Sequence, residues 1–322
     1  MQNLGVLGVF RENPSFVEAR FKVLRFQTRF MEIHKMASPA APIGVFDSGL
    51  GGLTVARAIR TLLPRESIAY FGDTARLPYG TKSPATVHRF TRQCLRFLMG
   101  VRPKLLVVAC NTASALALAQ LRNDFEVPVI GVLEPGAVAA VEVARQAARS
   151  GGSTPGRAQR IGLIATEATI GSNAYPAAIR ALDPALQVIG RACPLLVPMI
   201  EEGREESDLI VGLVLREYLQ PFLEMEISAL ILGCTHYPIF ASAVQETLGE
   251  EVTLIDSARQ TALVVRDQLA TMHALSQSPH DGRLTCYVTD QGQRFERLAS
   301  RFLGEAVGQP VWVTPEMLET VE

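Results

Sequence analysis

Two stretches of the chain place a cysteine where an apolar run of strand length stops. One is Leu105-Leu106-Val107-Val108-Ala109-Cys110-Asn111-Thr112-Ala113-Ser114; the other is Ala229-Leu230-Ile231-Leu232-Gly233-Cys234-Thr235-His236-Tyr237-Pro238. In a parallel α/β sheet, ligands bind outside the carboxyl ends of the strands. Both thiols are therefore expected at a mouth, with amide and hydroxyl groups beside them. A thiol acts as base or nucleophile once ionised, which a polar, electropositive or helix-N-terminal setting favours. One such cysteine could be a nucleophile. Two facing each other could take a proton from one side of a substrate carbon and return one to the other, inverting a stereocentre without a cofactor. Cysteines are often inert core residues, and that reading suits Cys94, Cys193 and Cys286.

The elements that must hold these thiols repeat a β-α plan. Ile43 to Phe46 reads as a short buried strand, followed by Asp47-Ser-Gly-Leu-Gly-Gly-Leu-Thr54 and a helix from about Val55 to Leu63. The glycines allow a sharp turn and close approach to a ligand. Their spacing fits neither the dinucleotide fingerprint nor the P-loop. A strand over 67–71 leads into a long loop, Gly72 to Gly80, and Ser83-Pro84 has the form of a helix start for 85–99. After the Cys110 strand come a helix-like segment, Ala115 to Phe125, and a strand over 128–133. Such alternation implies a mostly parallel sheet covered on both faces.

The breakers of Ser150 to Gly156 end this unit, and the plan begins again. Ile161 to Thr166 corresponds to the first strand at an offset of 118 residues, and Cys234 to Cys110 at 124. Val252 to Asp256 corresponds to the strand at Val129. The expected fold is α/β: two pseudo-symmetric βα domains with mostly parallel sheets and an active site in the cleft between them. The expected division is an N-terminal extension over 1–41, a first domain over 42–133 plus 256–322, and a second over 134–255. The tail, with a helix from Ser257, a strand over 284–288, a helix over 294–303 and a short strand at 311–313, would return to complete the first half.

Bulk properties narrow the class. The 322 residues are 48% apolar and 20% charged, as in soluble globular proteins, and no apolar run reaches membrane-spanning length. A net charge of -1 gives no reason to expect nucleic acid or an anionic membrane as main partner. Five cysteines without metal-type spacing argue for free thiols in a reducing cytoplasm, and five scattered histidines argue against a metal site. Only four lysines (Lys22, Lys35, Lys82, Lys104) are present to form a Schiff base, which disfavours pyridoxal chemistry. In the extension, Phe16 to Ile33 could form a basic amphipathic helix, while Glu12, Glu18 and Glu32 count against a transit peptide.

Several ordered stretches resemble the glutamate racemases of the aspartate/glutamate racemase superfamily. They are Ile43 to Gly52, Tyr70 to Gly80, Ala109-Cys-Asn-Thr-Ala113, Ala165-Thr166 with Ser172 to Tyr175, Val197 to Glu201, Leu232 to Pro238 and Ile255 to Ser257. The resemblance implies cofactor-independent, metal-free interconversion of L- and D-glutamate in the cytoplasm, supplying peptidoglycan synthesis. By it, Cys110 faces the D-enantiomer's proton and Cys234 the L-enantiomer's; Asp47 supports the first thiol, His236 the second, and Glu201 is an auxiliary group. Asp47 and Ser48 would meet the substrate amine. Asn111, Thr112, Thr235 and the Tyr79-Gly80 turn would hold the carboxylates, with His236 lining the site and Thr166 and Thr169 as weaker candidates. Homodimers are usual in the family, and some members with extensions bind a cell-wall precursor as activator.

Taken singly, these residues have plainer readings. Asp47 could cap a helix, His236 be structural, Tyr79-Gly80 an ordinary turn, and Glu201, near Glu202, Glu205 and Glu206, part of an acidic face. The competing functions are racemisation of aspartate or a hydantoin, a silent binding protein for acidic amino acids, and a single-cysteine hydrolase or thiol transferase.

Overall fold

Strand β1 (Ile43–Asp47) is buried along its whole length, with no polar alternation, so both of its faces must be covered. In the computed structural model, which describes residues 38–149, 155–290 and 293–319, this strand lies inside a sheet between β2 (Ile68–Gly72) and β3 (Leu105–Val108). The basic helix expected over residues 16–33 lies outside the described residues. Beyond β3 comes β4 (Val129–Gly131), and every pairing in this sheet is parallel.

A second parallel sheet repeats the order: β5 (Arg160–Ala165) is flanked by β6 (Gln187–Ala192) and β7 (Ala229–Gly233), with β8 (Thr253–Asp256) outermost. The sequence correspondences thus hold strand for strand. In the first sheet the order is β2-β1-β3-β4, in the second β6-β5-β7-β8. The tail adds β9 (Leu284–Val288) and β10 (Val311–Trp312) outside β2, extending the first sheet to six strands.

Helices fill the layers between and around the sheets. Helix α1 (Leu53–Leu62) buries Leu53, Ala56 and Ile59, a stripe at helical spacing. Helix α2 (Pro84–Met99) starts where Ser83 accepts the N–H of Thr86 and buries Cys94 in the core, as expected. Helix α3 (Asn111–Leu116) begins directly after Cys110 rather than at Ala115, because the Cys110 sulfur itself accepts the Ala113 N–H at 3.5 Å. The helix-like run is also interrupted at Ala117, whose φ of -122° leaves the helical range, and a separate turn follows over Leu118–Leu121. Two further helices, α4 (Leu133–Arg149) and α5 (Leu196–Glu201), belong to the second repeat. Helix α6 (Ser257–Thr271) packs on α1 and on α4, tying the two sheets' helical layers together. Helix α7 (Gln293–Leu303) lies against α1.

At the end of the first sheet away from the cysteines, Lys104 is buried beside Glu66. Its ammonium lies 2.5 Å from Glu66 Oε2 and donates to the carbonyls of Pro39 (2.7 Å) and Ala274 (2.8 Å). Glu66 Oε1 also accepts the Ser276 N–H at 2.8 Å. One lysine therefore fastens the entering chain, the foot of β3 and the end of the segment after α6. Removing one member of a buried pair strands the other charge. Lys104→Met is expected to lower unfolding free energy by roughly 3–5 kcal/mol in urea titration, with Lys104→Met/Glu66→Leu recovering most of the loss.

Candidate active site

The carboxyl ends of β1, β3, β5 and β7 deliver Asp47, Cys110, Thr166 and Cys234 to one region. Both cysteines are buried and free of disulfides, and Asn111, Thr112, Thr235 and His236 are buried around them.

The two thiols sit in unlike surroundings. The Cys110 S–H donates to Ser48 Oγ at 3.4 Å while its sulfur caps α3. Burial, followed by the charge of Asp47, pushes this thiol up to about 12, against the pull of Ser48 and the Ala113 N–H. Asp47 thus acts on Cys110 through charge, and Ser48 is the group hydrogen-bonded to it. The neighbouring Cys234 charge also raises Cys110, so the two thiols lie within electrostatic reach of each other.

Cys234 instead faces an imidazole: its sulfur is 3.8 Å from His236 Nδ1. On the other side of the ring, His236 Nε2 lies 3.1 Å from Glu201 Oε1, at the last residue of α5. Burial disfavours the imidazolium, but the contacts with Cys234 and Glu201 outweigh it and push His236 up to about 10. The acidic-surface reading of Glu201 is replaced by this inward contact.

Asp47 is held from both halves. Its Oδ2 accepts the Gly49 N–H at 2.8 Å, and its Oδ1 accepts the Thr235 hydroxyl at 3.5 Å. Burial raises its pKa, while the charge of His236 and these donors oppose the rise. Thr54 adds a second strut, its hydroxyl reaching Gly51 O at 2.8 Å and Thr235 O at 3.3 Å. Gly51 shows how close the halves come. A Cβ there would fall 2.3 Å from Thr235 Oγ1 and 2.5 Å from His236 Nδ1.

Tyr79 and Gly80 form a short 3-10 turn beside Thr166, and a Cβ on Gly80 would lie 2.7 Å from the Thr166 Cβ. The Tyr79 phenol donates to Asp73 Oδ2 at 2.5 Å, so it is the turn's backbone that is left for a ligand. Thr112, Thr166 and Thr169 form a triangle of hydroxyls with edges of 3.0, 3.2 and 3.0 Å. Asn111 Oδ1 accepts the Tyr175 hydroxyl at 2.6 Å, and Tyr175 lies 3.4 Å from Ser257 Oγ. With its oxygen occupied, Asn111 presents its amide N–H₂ as the remaining donor. Tyr175 and Ser257 orient a site residue; both fall in stretches that resemble the family, though their residue types alone do not announce the role.

Two buried thiols, donors from both halves and an imidazolium suit proton transfer at a carbon next to a carboxylate. Among the described residues, no group of three or more His, Cys, Asp or Glu side chains is placed to hold a metal ion.

Known proteins resemble this chain in sequence and in fold. The family model described as Asp/Glu/Hydantoin racemase matches residues 43–264. The sequence is 45% identical to glutamate racemase of Geobacter metallireducens over 278 residues, 86% of this chain and 98% of that protein. The fold resembles the crystal structure of glutamate racemase from Francisella tularensis in complex with D-glutamate, with TM-score 0.78 and 38% identity over 88% of this chain and 99% of that one. It also resembles Escherichia coli glutamate racemase in complex with L-glutamate and activator UDP-MurNAc-ala, with TM-score 0.63 and 25% identity over 83% of this chain and 99% of that one.

Adding one methyl group tests the contact between the halves. Gly51→Ala is expected to keep its circular dichroism spectrum but lose roughly 100-fold in kcat/KM for racemisation. Unchanged kinetics would show that the loop has room to yield.

Proposed function

Because the chain belongs to the glutamate racemases of the Asp/Glu/Hydantoin racemase family, we propose that it inverts glutamate by passing the Cα proton between two thiols, without an organic cofactor. The observation that carries this reading is the pairing of Cys110 and Cys234 at equivalent strand ends of two repeated sheets.

The difficulty of the reaction is the weak acidity of a Cα–H beside an ionised carboxylate. Preorganised donors in a dry cleft stabilise the developing carbanion. The Asn111 amide, the hydroxyls of Thr112 and Thr235 and the backbone of Tyr79-Gly80 take that role at the carboxylates, while Asp47 and Ser48 meet the amine. Cys234 removes the proton of L-glutamate, its negative charge balanced by the His236 imidazolium; Cys110 then donates a proton to the opposite face. D-glutamate runs the same path backwards.

The division into 42–133 with 256–322 and 134–255 is supported by which sheet each strand joins. We place the reaction in the cytoplasm and its product in peptidoglycan synthesis. Five free thiols support the first, and among the described residues no helix is long and apolar enough to cross a membrane. The muramyl-nucleotide activator bound to the E. coli relative supports the second, and a precursor of that kind as activator here.

Incubation with L-glutamate in D2O should give D-glutamate carrying deuterium at Cα. Cys110→Ser and Cys234→Ser should each lose at least about 100-fold in racemisation; wild-type turnover in either variant would refute the two-thiol reading, and turnover of aspartate alone would overturn the substrate. The His236 contacts predict a separate pH effect. Because its folded pKa, about 10, lies above the ordinary 6.5, its stabilisation is fully present below pH 6.5 and disappears as pH rises through about 10. The melting temperature should fall over that window, and His236→Asn should flatten the fall.

A further inference from the structure

The His236 imidazolium that balances Cys234 is itself held by Glu201, 3.1 Å from its Nε2. Glu201 closes α5, a helix of only six residues whose end is a tight turn. There the Gly203 N–H donates to Ile200 O at 3.0 Å and the Arg204 N–H to Met199 O at 3.1 Å, with Gly203 at φ +84°. This pair of bonds is a Schellman turn, in which glycine takes the left-handed position. A carboxylate at this end of a helix meets the negative pole of its dipole, so the position of Glu201 needs support from outside the helix.

That support comes from the chain's tail. On α7, Arg301 reaches the turn with both terminal nitrogens, donating to Ile200 O at 3.1 Å and to Arg204 O at 2.6 Å; its guanidinium also lies 3.7 Å from Glu205 Oε2. The next residue, Phe302, is fully buried and sets its ring edge-on to His236, with centroids 5.0 Å apart and planes at 77°. Adjacent residues of one helix thus brace both members of the Glu201–His236 contact. One fixes the backbone that carries the carboxylate, and the other fixes the plane of the imidazole. Cys110 has no counterpart brace in its own hydrogen bonds, which run to Ser48 and Ala113.

We infer that Arg301 and Phe302 are positioning residues for the Cys234 half-reaction alone, holding Glu201 and His236 in line behind that thiol. The inference rests on the two-thiol reading above. It makes a kinetic demand that a merely structural role does not. Weakening the Cys234 station raises the barrier of proton transfer at that sulfur, leaving the step at Cys110 as it was. Since enantiomers have equal free energy, kcat/KM must fall by the same factor in both directions. The primary isotope effects, however, must separate. With Cα-deuterated L-glutamate the labelled transfer becomes rate-limiting and the effect rises. With Cα-deuterated D-glutamate the labelled transfer at Cys110 ceases to limit, and the effect shrinks towards unity.

The experiment is the pair of isotope effects for wild type, Arg301→Ala and Glu201→Gln, with Arg301→Lys as a milder change should the alanine variant fail to fold. Arg301→Ala is expected to lose roughly 10- to 100-fold in kcat/KM and to show the L-up, D-down separation with the same sense as Glu201→Gln. The double variant should be no slower than Glu201→Gln. Isotope effects that stay in the wild-type ratio while activity falls would reduce Arg301 to a structural residue and overturn the inference, as would losses that multiply in the double variant. If wild type incorporates no solvent deuterium from either enantiomer, the two-thiol reading itself fails, which is a different result.

Discussion

Everything at the site depends on the space that Gly51 leaves empty. The loop after β1 belongs to one sheet, and Thr235 and His236 follow β7 of the other. They approach to a distance at which no side chain fits between them. Only because of that closeness can Thr235 reach Asp47 and Thr54 reach the Thr235 carbonyl. Only then do thiols from separate sheets feel each other's charge. The glycine's contribution is not flexibility here, since the loop is buried; it is the absence of volume.

At that site the architecture is symmetric and the chemistry is not. The substrate enantiomers are mirror images, but a protein of L-residues cannot build mirror-image stations for them. The fold answers with equivalent strand ends and unlike neighbours. Cys110 has a helix N-terminus and a serine hydroxyl on one hand and the carboxyl group of Asp47 on the other. Cys234 has an imidazolium backed by a carboxylate. The two thiols therefore differ in the charges and hydrogen bonds that surround them.

Much of this was legible in the chain because it is written in local pattern. Apolar runs that stop at a cysteine, glycines after a buried strand and the recurrence of the plan gave the parallel sheets, their repeat and the mouth. The return of the tail to the first half is readable from the strand pattern of 284–288, whereas its place beside β2 is not. Less visible were features that exist only across distance. Strand β6, at an edge and half exposed, has no alternation to betray it. Tyr175 and Ser257 orient Asn111 from positions 64 and 146 residues away, where nothing in their type signals the role. Glu201 lies in a run of acids that reads as surface until α5 turns it onto His236. Tyr79 belongs to the site through its turn, while its hydroxyl belongs to Asp73.

The return of the tail also orders the way this chain can assemble. The second sheet uses one continuous stretch, from Arg160 to Asp256, and can close as soon as that stretch leaves the ribosome. The first cannot, because β2 pairs with β9 across more than two hundred intervening residues, Ile68 lying opposite Leu284. Contacts so far apart in sequence carry a large loop-closure cost and form late. During synthesis the inserted half is thus able to mature while its host waits with an open edge at β2, and the site that both halves build is completed last.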